Sequence, residues 1–376
     1  MAKYFVLAAI LFLLLCVNPV QGQQRTLLHA GLSRSYLLHV PPSYDGNPPV
    51  PLGIALHEFS GSAASFQTIT AFSAKANAEG FIVVYPNGIS GSWTGGGCCG
   101  AAMTNNLDDA GFINALIDTL AGQYHIDLTR IFVAGFSNGA ILAYRLAAEL
   151  SHKIAAISAV AGPMMLDKVN PSRPVPIMHF HALNDAVIPY NGGNASGFVF
   201  PSVMSVLDFW INRNQCDPNS TIIYNRNGVI GRKWQALANN ADIILYTTPM
   251  GGHNWPSSIA ATDTIWSFFT SHTMPPVTAV DEKKSEIIAE TFVLQQNYPN
   301  PFNPTTTIRF TLAQPGFVTL KIYNLQGQEV AALLNERKSA GEHNVSWAAG
   351  AWPSGLYFSH LQSGARTSKI KLILNK

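Results

Sequence analysis

The chain has 376 residues, of which 47% are hydrophobic and only 12% charged, with a formal net charge of +2. That length admits two domains and that composition a large apolar core, which excludes a disordered or solvating protein. No dense basic run accompanies the small net charge, so nucleic-acid binding has no electrostatic support.

The N-terminus reads as a targeting segment. Lys3 precedes an apolar run from Tyr4 to Val17, and Pro19-Val20-Gln21-Gly22 offers small residues for cleavage after Gly22. This predicts a Sec signal peptide over residues 1–22, too short for a membrane span. Leu15 is too bulky for the position before Cys16 in a lipoprotein box, and no later stretch is long and apolar enough to cross a membrane. Gln23 to Gly46 reads as a hairpin turning at Gly31 to Ser33. The apolar run Val50 to Leu56 reads as a buried strand entering the loop His57-Glu58-Phe59-Ser60-Gly61-Ser62. Such a loop can hold a backbone N–H against a developing oxyanion; Phe59 is the candidate donor, and His57 is expected to brace the turn.

Phe66 to Glu79 has helical spacing, and Phe81 to Tyr85 reads as a buried strand. The long glycine-rich loop Gly88 to Ala102 carries Trp93, Cys98 and Cys99; Trp93 is a candidate either for a cleft wall or for the edge of the core. Asp108-Asp109 opens a helix from Ala110 to Tyr124, where acids complement the helix dipole. Cys16 leaves with the signal, so Cys98, Cys99 and Cys216 remain in an oxidising setting. The expected bridge joins Cys216 to Cys98 or Cys99, with the other thiol buried; a Cys98–Cys99 bridge would close a very small, strained ring. No His or acid stands at ligand spacing around these cysteines, so no metal site is expected.

The chain is organised around Arg130 to Ala140. An apolar, β-branched run leads into Gly135-Phe136-Ser137-Asn138-Gly139, and a good helix sequence follows from Ala140 to Leu150. Strand, sharp turn and helix give a G-x-S-x-G match its meaning. The turn holds the serine in a strained conformation with its hydroxyl clear of the sheet, and the N–H of Asn138 faces the oxyanion position. A serine hydroxyl is a poor nucleophile near neutral pH, so Ser137 needs a base and an orienting acid. Ile154 to Val160 and Pro176 to His181 read as further buried strands, and Asp185 lies just past the second, where this fold class places its acid. Asp208, in an apparent helix from Val203 to Asn212, and Asp217, in a turn after Cys216, are the alternatives. Ile243 to Thr247 reads as the last core strand, followed by Met250-Gly251-Gly252-His253-Asn254-Trp255-Pro256. A histidine on that glycine-flexible loop can reach the serine; His125 and His152 fall on helix surfaces, His179 and His181 within a strand. The order Ser137, Asp185, His253 is that of α/β-hydrolases, and Ala261 to Phe269 closes the domain as a helix.

Met274-Pro275-Pro276 and the polar run Asp281 to Ser285 mark a linker. Beyond it, strand-like segments at Thr306 to Leu312, Val318 to Tyr323, His343 to Ala348, Gly355 to Leu361 and Thr367 to Leu374 predict a small all-β sandwich. The expected organisation is therefore a signal peptide over 1–22, an α/β-hydrolase domain over 23–274, a linker over 275–291 and a β-sandwich over 292–376.

Several motifs give the first domain a family resemblance. These are Gly135-Phe136-Ser137-Asn138-Gly139, Cys98-Cys99-Gly100 leading to Asp108-Asp109, Asn184-Asp185 with Val187 and Pro189-Tyr190, and Gly252-His253-Asn254-Trp255-Pro256. Over roughly Thr26 to His272 the chain resembles the poly(3-hydroxybutyrate) depolymerase-like esterases, which include feruloyl and acetylxylan esterases of carbohydrate esterase family 1. The resemblance implies the triad Ser137, Asp185 and His253; Glu58 stands where the family has glycine. The tail resembles the type IX secretion (Por) sorting domain through Asn297-Tyr298-Pro299-Asn300-Pro301-Phe302-Asn303-Pro304-Thr305, Gly355-Leu356-Tyr357-Phe358 and a basic end through Lys369 and Lys371. It implies handling by the type IX machinery, export across the outer membrane, and a secreted or cell-surface location.

The expected chemistry is serine ester hydrolysis through an acyl-enzyme, needing neither metal nor cofactor. The expected substrate is a feruloyl or acetyl ester on plant-wall xylan or its oligosaccharides, with Trp93, Phe136 and Trp255 as candidate substrate-binding residues. The alternatives are depolymerisation of a polyester, either polyhydroxybutyrate or an aromatic one, and a surface binding protein that keeps the fold without turnover.

Overall fold

The computed structural model describes residues 22–166, 169–275, 292–312, 316–339, 341–364 and 366–376. The expected signal peptide, apart from Gly22, and the expected linker, apart from Pro275, lie outside these residues. Contacts divide the chain into two units that meet between Met274 and Pro275.

The first unit opens with a hairpin, β1 (Gln23–His29) and β2 (Leu32–His39). Its turn is Ala30-Gly31, both with positive φ, a tight two-residue loop one position earlier than the glycine spacing predicts. β3 (Val50–Leu56) follows, then α1 (Ala63–Thr70) and α2 (Phe72–Glu79). These are two helices where the spacing predicts one, because Ala71 takes a left-handed conformation (φ +52°) between them. β4 (Ile82–Pro86), the short α3 (Gly100–Thr104) and α4 (Asp109–Gln123) lead to β5 (Ile126–Phe136) and α5 (Asn138–Glu149). β6 (Ala156–Val160) and β7 (Ile177–Ala182) come next, then a small hairpin, β8 (Gly193–Ala195) and β9 (Phe198–Phe200), and α6 (Val203–Arg213). β10 (Thr221–Arg226), β11 (Val229–Trp234), β12 (Ile243–Thr248) and α7 (Ala261–Thr270) complete the unit.

Ten strands form one mixed sheet in the order β1-β2-β4-β3-β5-β6-β7-β12-β11-β10. The strands from β4 to β12 run parallel, and the outer pairs are antiparallel. Parallel strands are covered on both faces, which explains their unbroken apolar sequences. Alternate residues feed two cores. Ile131 and Val133 of β5 pack with Phe112 and Leu116 of α4, Leu146 of α5 and Trp210 of α6. Phe132, Ala134 and Phe136 pack with Phe66 of α1, Phe72 of α2 and Trp266 and Phe269 of α7. β12 is the last strand of the unit in chain order, as expected, but not the edge of the sheet: β11 and β10, which precede it in sequence, extend the sheet beyond it. Their sequence mixes Asn, Arg and Gly with few alternating apolar residues, so the period-two signal is weak.

The second unit contains a three-stranded sheet and a four-stranded sheet. The first is β13 (Val293–Leu294), β14 (Thr305–Leu312) and β17 (Gly341–Ala348); the second is β16 (Glu329–Lys338), β15 (Gly316–Asn324), β18 (Gly355–Ser363) and β19 (Arg366–Leu374). Ile308 and Phe310 of one sheet share a core with Leu320, Ile322 and Leu361 of the other. Asn297 is buried and donates to Pro299 O and Thr306 Oγ1, so the proline-rich stretch is fastened to the start of β14.

Candidate active site

Four strands of the large sheet deliver the site at their carboxyl ends, where open α/β sheets place their crevices: β3, β5, β7 and β12. Ser137 stands between β5 and α5 with φ +54° and ψ −119°, a region L-residues rarely occupy. Its surroundings demand glycine at three positions. A Cβ on Gly135 would lie 2.2 Å from Gly139 O, one on Gly139 2.2 Å from Leu56 O, and one on Gly162 2.3 Å from Ser137 O. The G-x-S-x-G pattern accounts for two of these; Gly162, on the neighbouring β6 connection, carries no sequence signal.

Ser137 Oγ lies 2.8 Å from His253 Nε2, and His253 Nδ1 lies 2.8 Å from Asp185 Oδ2. The bonds join positions 116 and 68 residues apart in sequence. Asp185 also caps its own turn: Oδ1 accepts the N–H groups of Val187 and Ile188, each at 2.9 Å. Burial pushes this carboxyl up, but the His253 and Ile188 hydrogen bonds outweigh it and hold the group below its ordinary value. Asn184 Oδ1 accepts Gly252 N–H at 2.9 Å, tying the acid turn to the histidine loop. Of the alternative acids, Asp208 is exposed on α6 and Asp217 accepts from Asn219 in its own turn. His125 bonds Gly46 O instead.

Asn138 is held by its side chain, which exchanges hydrogen bonds with both backbone groups of Trp93 at 2.7 and 3.0 Å. Trp93 is fully buried, and its indole N–H donates to His57 O at 3.0 Å. It is therefore a strut beneath the elbow and the β3 loop, not cleft wall. His57, also fully buried, donates from Nδ1 to Glu58 O at 2.6 Å and accepts Gly88 N–H on Nε2 at 3.0 Å. Burial lowers its pKa, so it is a neutral brace. Glu58 folds back over Gly61, so only glycine fits at 61. The N–H groups of Asn138 and Phe59 donate to no acceptor among the described residues. Phe136 is mostly buried; its ring packs on His253 at 5.2 Å and meets the edge of Trp255 at 6.4 Å. Trp255 also lines a cavity of about 160 Å³ beside the histidine loop, with Ala161, Phe180, His181, Thr248 and Met250.

Two further expectations are corrected. Cys98 and Cys99 are bonded to each other, and Cys216 is free. Cys216 sits after α6, buried in the main core with its thiol toward Ala241 O, and burial pushes that thiol up to about 11. Cys98 packs instead with Ile141, Ile188 and Phe200, a separate cluster that Cys216 does not join. Asp109 is more than a helix-terminal acid. It is fully buried, pairs with the equally buried Arg34 at 2.6 Å, and accepts Thr94 N–H at 2.6 Å, next to the Trp93 strut. Asp108 is the true N-cap, accepting Gly111 N–H. Arg34 lies 75 residues upstream, so nothing local announces the pair.

Residues 105–208 match the phospholipase/carboxylesterase family model, and residues 296–375 match the secretion system C-terminal sorting domain. A bifunctional acetylxylan esterase/xylanase of Neocallimastix patriciarum is 30% identical over 62% of this chain and 33% of its own length. A probable feruloyl esterase C of Aspergillus niger is 26% identical over 67% of this chain and 90% of its own. The chain spans a third to a half of the length of the first two curated relatives it matches. An acetyl xylan esterase from Aspergillus awamori superposes with a TM-score of 0.50 at 16% identity, covering 66% of this chain and all of that one, which fixes an α/β-hydrolase fold. The first unit is thus related to feruloyl and acetylxylan esterases, and the chain carries a secretion system C-terminal sorting domain over 296–375.

Proposed function

We propose that the protein is an exported serine carboxylesterase that cleaves feruloyl or acetyl esters of plant-wall xylan. The observation that carries this is the continuous Ser137–His253–Asp185 hydrogen-bond relay at a strained strand-to-helix elbow. His253 Nε2 takes the Ser137 proton as Oγ attacks the ester carbonyl. Asp185 fixes the imidazole tautomer through Nδ1 and stabilises the imidazolium. The unengaged N–H groups of Asn138 and Phe59 receive the oxyanion; loss of one such donor costs about 10²–10³ in turnover. His253 then protonates the leaving alcohol, and water repeats the sequence on the acyl-enzyme. Phe136 and Trp255 flank the histidine as walls for the substrate. The acyl choice is supported by the likeness to an acetylxylan esterase and to feruloyl esterases. Export through the type IX machinery, suggested by the sorting domain, suits a polymer too large to import.

A second reading, polyester depolymerisation, is favoured by exposed apolar side chains on the three site loops: Phe59, Leu183, Val187 and Met250. Product release from methyl ferulate, acetylated xylan and amorphous poly(3-hydroxybutyrate), measured in parallel with Ser137→Ala as control, tests both. Free ferulate or acetate with untouched polyester is the expected result. Dominant hydroxybutyrate release moves the assignment to polyester. Full activity in a folded Ser137→Ala protein refutes the mechanism.

A further inference from the structure

Strand β7 carries two histidines, His179 and His181, on the face that packs against α5. Both are almost completely buried. Their rings stack with an interplanar angle of 5°, and His179 Nε2 lies 3.0 Å from His181 Nδ1. At the inner end, Tyr144 of α5, itself fully buried beside Trp210, places its hydroxyl 3.0 Å from His179 Nδ1. At the outer end, His181 Nε2 lies 2.8 Å from Ile188 O and 3.5 Å from Asp185 Oδ2. The Tyr190 ring covers His181 edge-on. A core position of this kind needs only an apolar side chain. Three polar ones in file are tolerated because each bonds the next.

The proton order along the file follows from its outer end. His181 Nε2 faces only acceptors, the Ile188 carbonyl and the Asp185 carboxylate, so it carries the hydrogen. His181 Nδ1 is then bare and accepts from His179 Nε2–H, and His179 Nδ1 accepts the Tyr144 hydroxyl. Burial keeps both imidazoles neutral. Every polar atom of the file is satisfied, and one arrangement satisfies them.

We infer that the Tyr144–His179–His181 file is a positioning device that holds the Asp185 turn in register with His253. Ile188 supplies one of the two N–H groups that grip Asp185 Oδ1, and its carbonyl is the group that His181 holds. The same Nε2–H stands 3.5 Å from Oδ2, the oxygen that receives His253 Nδ1–H. His181 thus steadies both oxygens of the carboxylate without touching substrate. This inference rests on the proposed roles of Ser137, His253 and Asp185.

The test compares His181→Leu, His181→Gln and Tyr144→Phe in the full chain. The readouts are kcat and KM on a soluble ester and the downfield proton resonance of His253 Nδ1–H, identified by its loss in His253→Ala. A misplacement near 1 Å at reacting groups costs about 10² in rate, so His181→Leu should lower kcat by about 10- to 100-fold at unchanged KM. The resonance should broaden or shift. Gln offers an N–H to Ile188 O and a carbonyl to His179, so His181→Gln should restore kcat to within about threefold and restore the resonance. A folded His181→Leu protein with wild-type kcat and an unmoved resonance overturns the inference. So does equal damage from Leu and Gln with the resonance intact, which is the signature of packing alone. Should His181→Leu fail to fold, Tyr144→Phe decides: a shifted His253 resonance supports the file and an unmoved one overturns it. The resonance needs no turnover, so an active Ser137→Ala protein would remove the proposed nucleophile while leaving this test standing.

Discussion

Replacing Gly139 with alanine probes how closely the elbow is built. Its new Cβ would lie 2.2 Å from Leu56 O and 2.6 Å from His57 O, against ordinary contact at 3.4 Å or more. The offending atoms are backbone at the end of β3, and Leu56 is in register with Gly135 of β5, so β3 cannot withdraw without opening its ladder. The start of α5 must therefore retreat by about 1.2 Å, taking Ser137 and the Asn138 N–H with it. Overpacking of this kind costs about 1–3 kcal/mol. A misplacement near 1 Å at reacting groups costs about 10² in rate. The assay is kcat on a soluble ester alongside the urea midpoint. Gly122→Ala is the control. Gly122 lies exposed in α4 with nothing near its missing Cβ, so alanine there should add about 0.5–1 kcal/mol and leave kcat alone. A Gly139→Ala protein with wild-type turnover and midpoint would refute the close approach of α5 to β3.

Two further outcomes are expected. Asp109→Asn leaves the buried Arg34 guanidinium uncompensated and should cost about 3–5 kcal/mol in urea unfolding, while Asp109→Leu combined with Arg34→Met should recover much of that loss; equal midpoints for Asp109→Asn and wild type would dismiss the pair. Burial lowers the pKa of His57, His179, His181 and His272 below the ordinary value of 6.5. A folded-state pKa below the unfolded one gives stability that is complete above about pH 6.5 and is lost as pH falls below it. Scanning calorimetry should show a Tm that is level above about pH 7 and declines steadily toward about pH 5; a level Tm through that range would contradict the neutral burial of these rings.

Much of this was legible in the sequence for identifiable reasons. A strand buried on both faces reads as an unbroken apolar run, so Val50 to Leu56, Phe81 to Tyr85 and Ile131 to Phe136 announce themselves. Local backbone demands leave local marks, as Gly135 and Gly139 do around Ser137. The hairpin strands β10 and β11 and the edge strand β16 carry weak patterns, because a partly solvated strand needs few apolar residues. The break at Ala71 gives no warning, since alanine is a good helix former and only packing sets its positive φ.

The sequence by itself determined the order of the central strands and main helices, the elbow, and the candidates Ser137, Asp185 and His253, because each candidate follows a strand end in a turn of recognisable composition. Tertiary structure alone decided what supports them. Trp93 is a strut because its loop is folded beneath Asn138; Asp109 is a buried ion because Arg34 arrives from β2; Cys98 bonds Cys99 because Cys216 lies in another core; and His179 and His181 form a file because α5 brings Tyr144 against β7. Each is a contact between residues distant in sequence or a choice among equal local options, and hydrogen-bond satisfaction inside a close-packed core settles such choices only once the chain has folded.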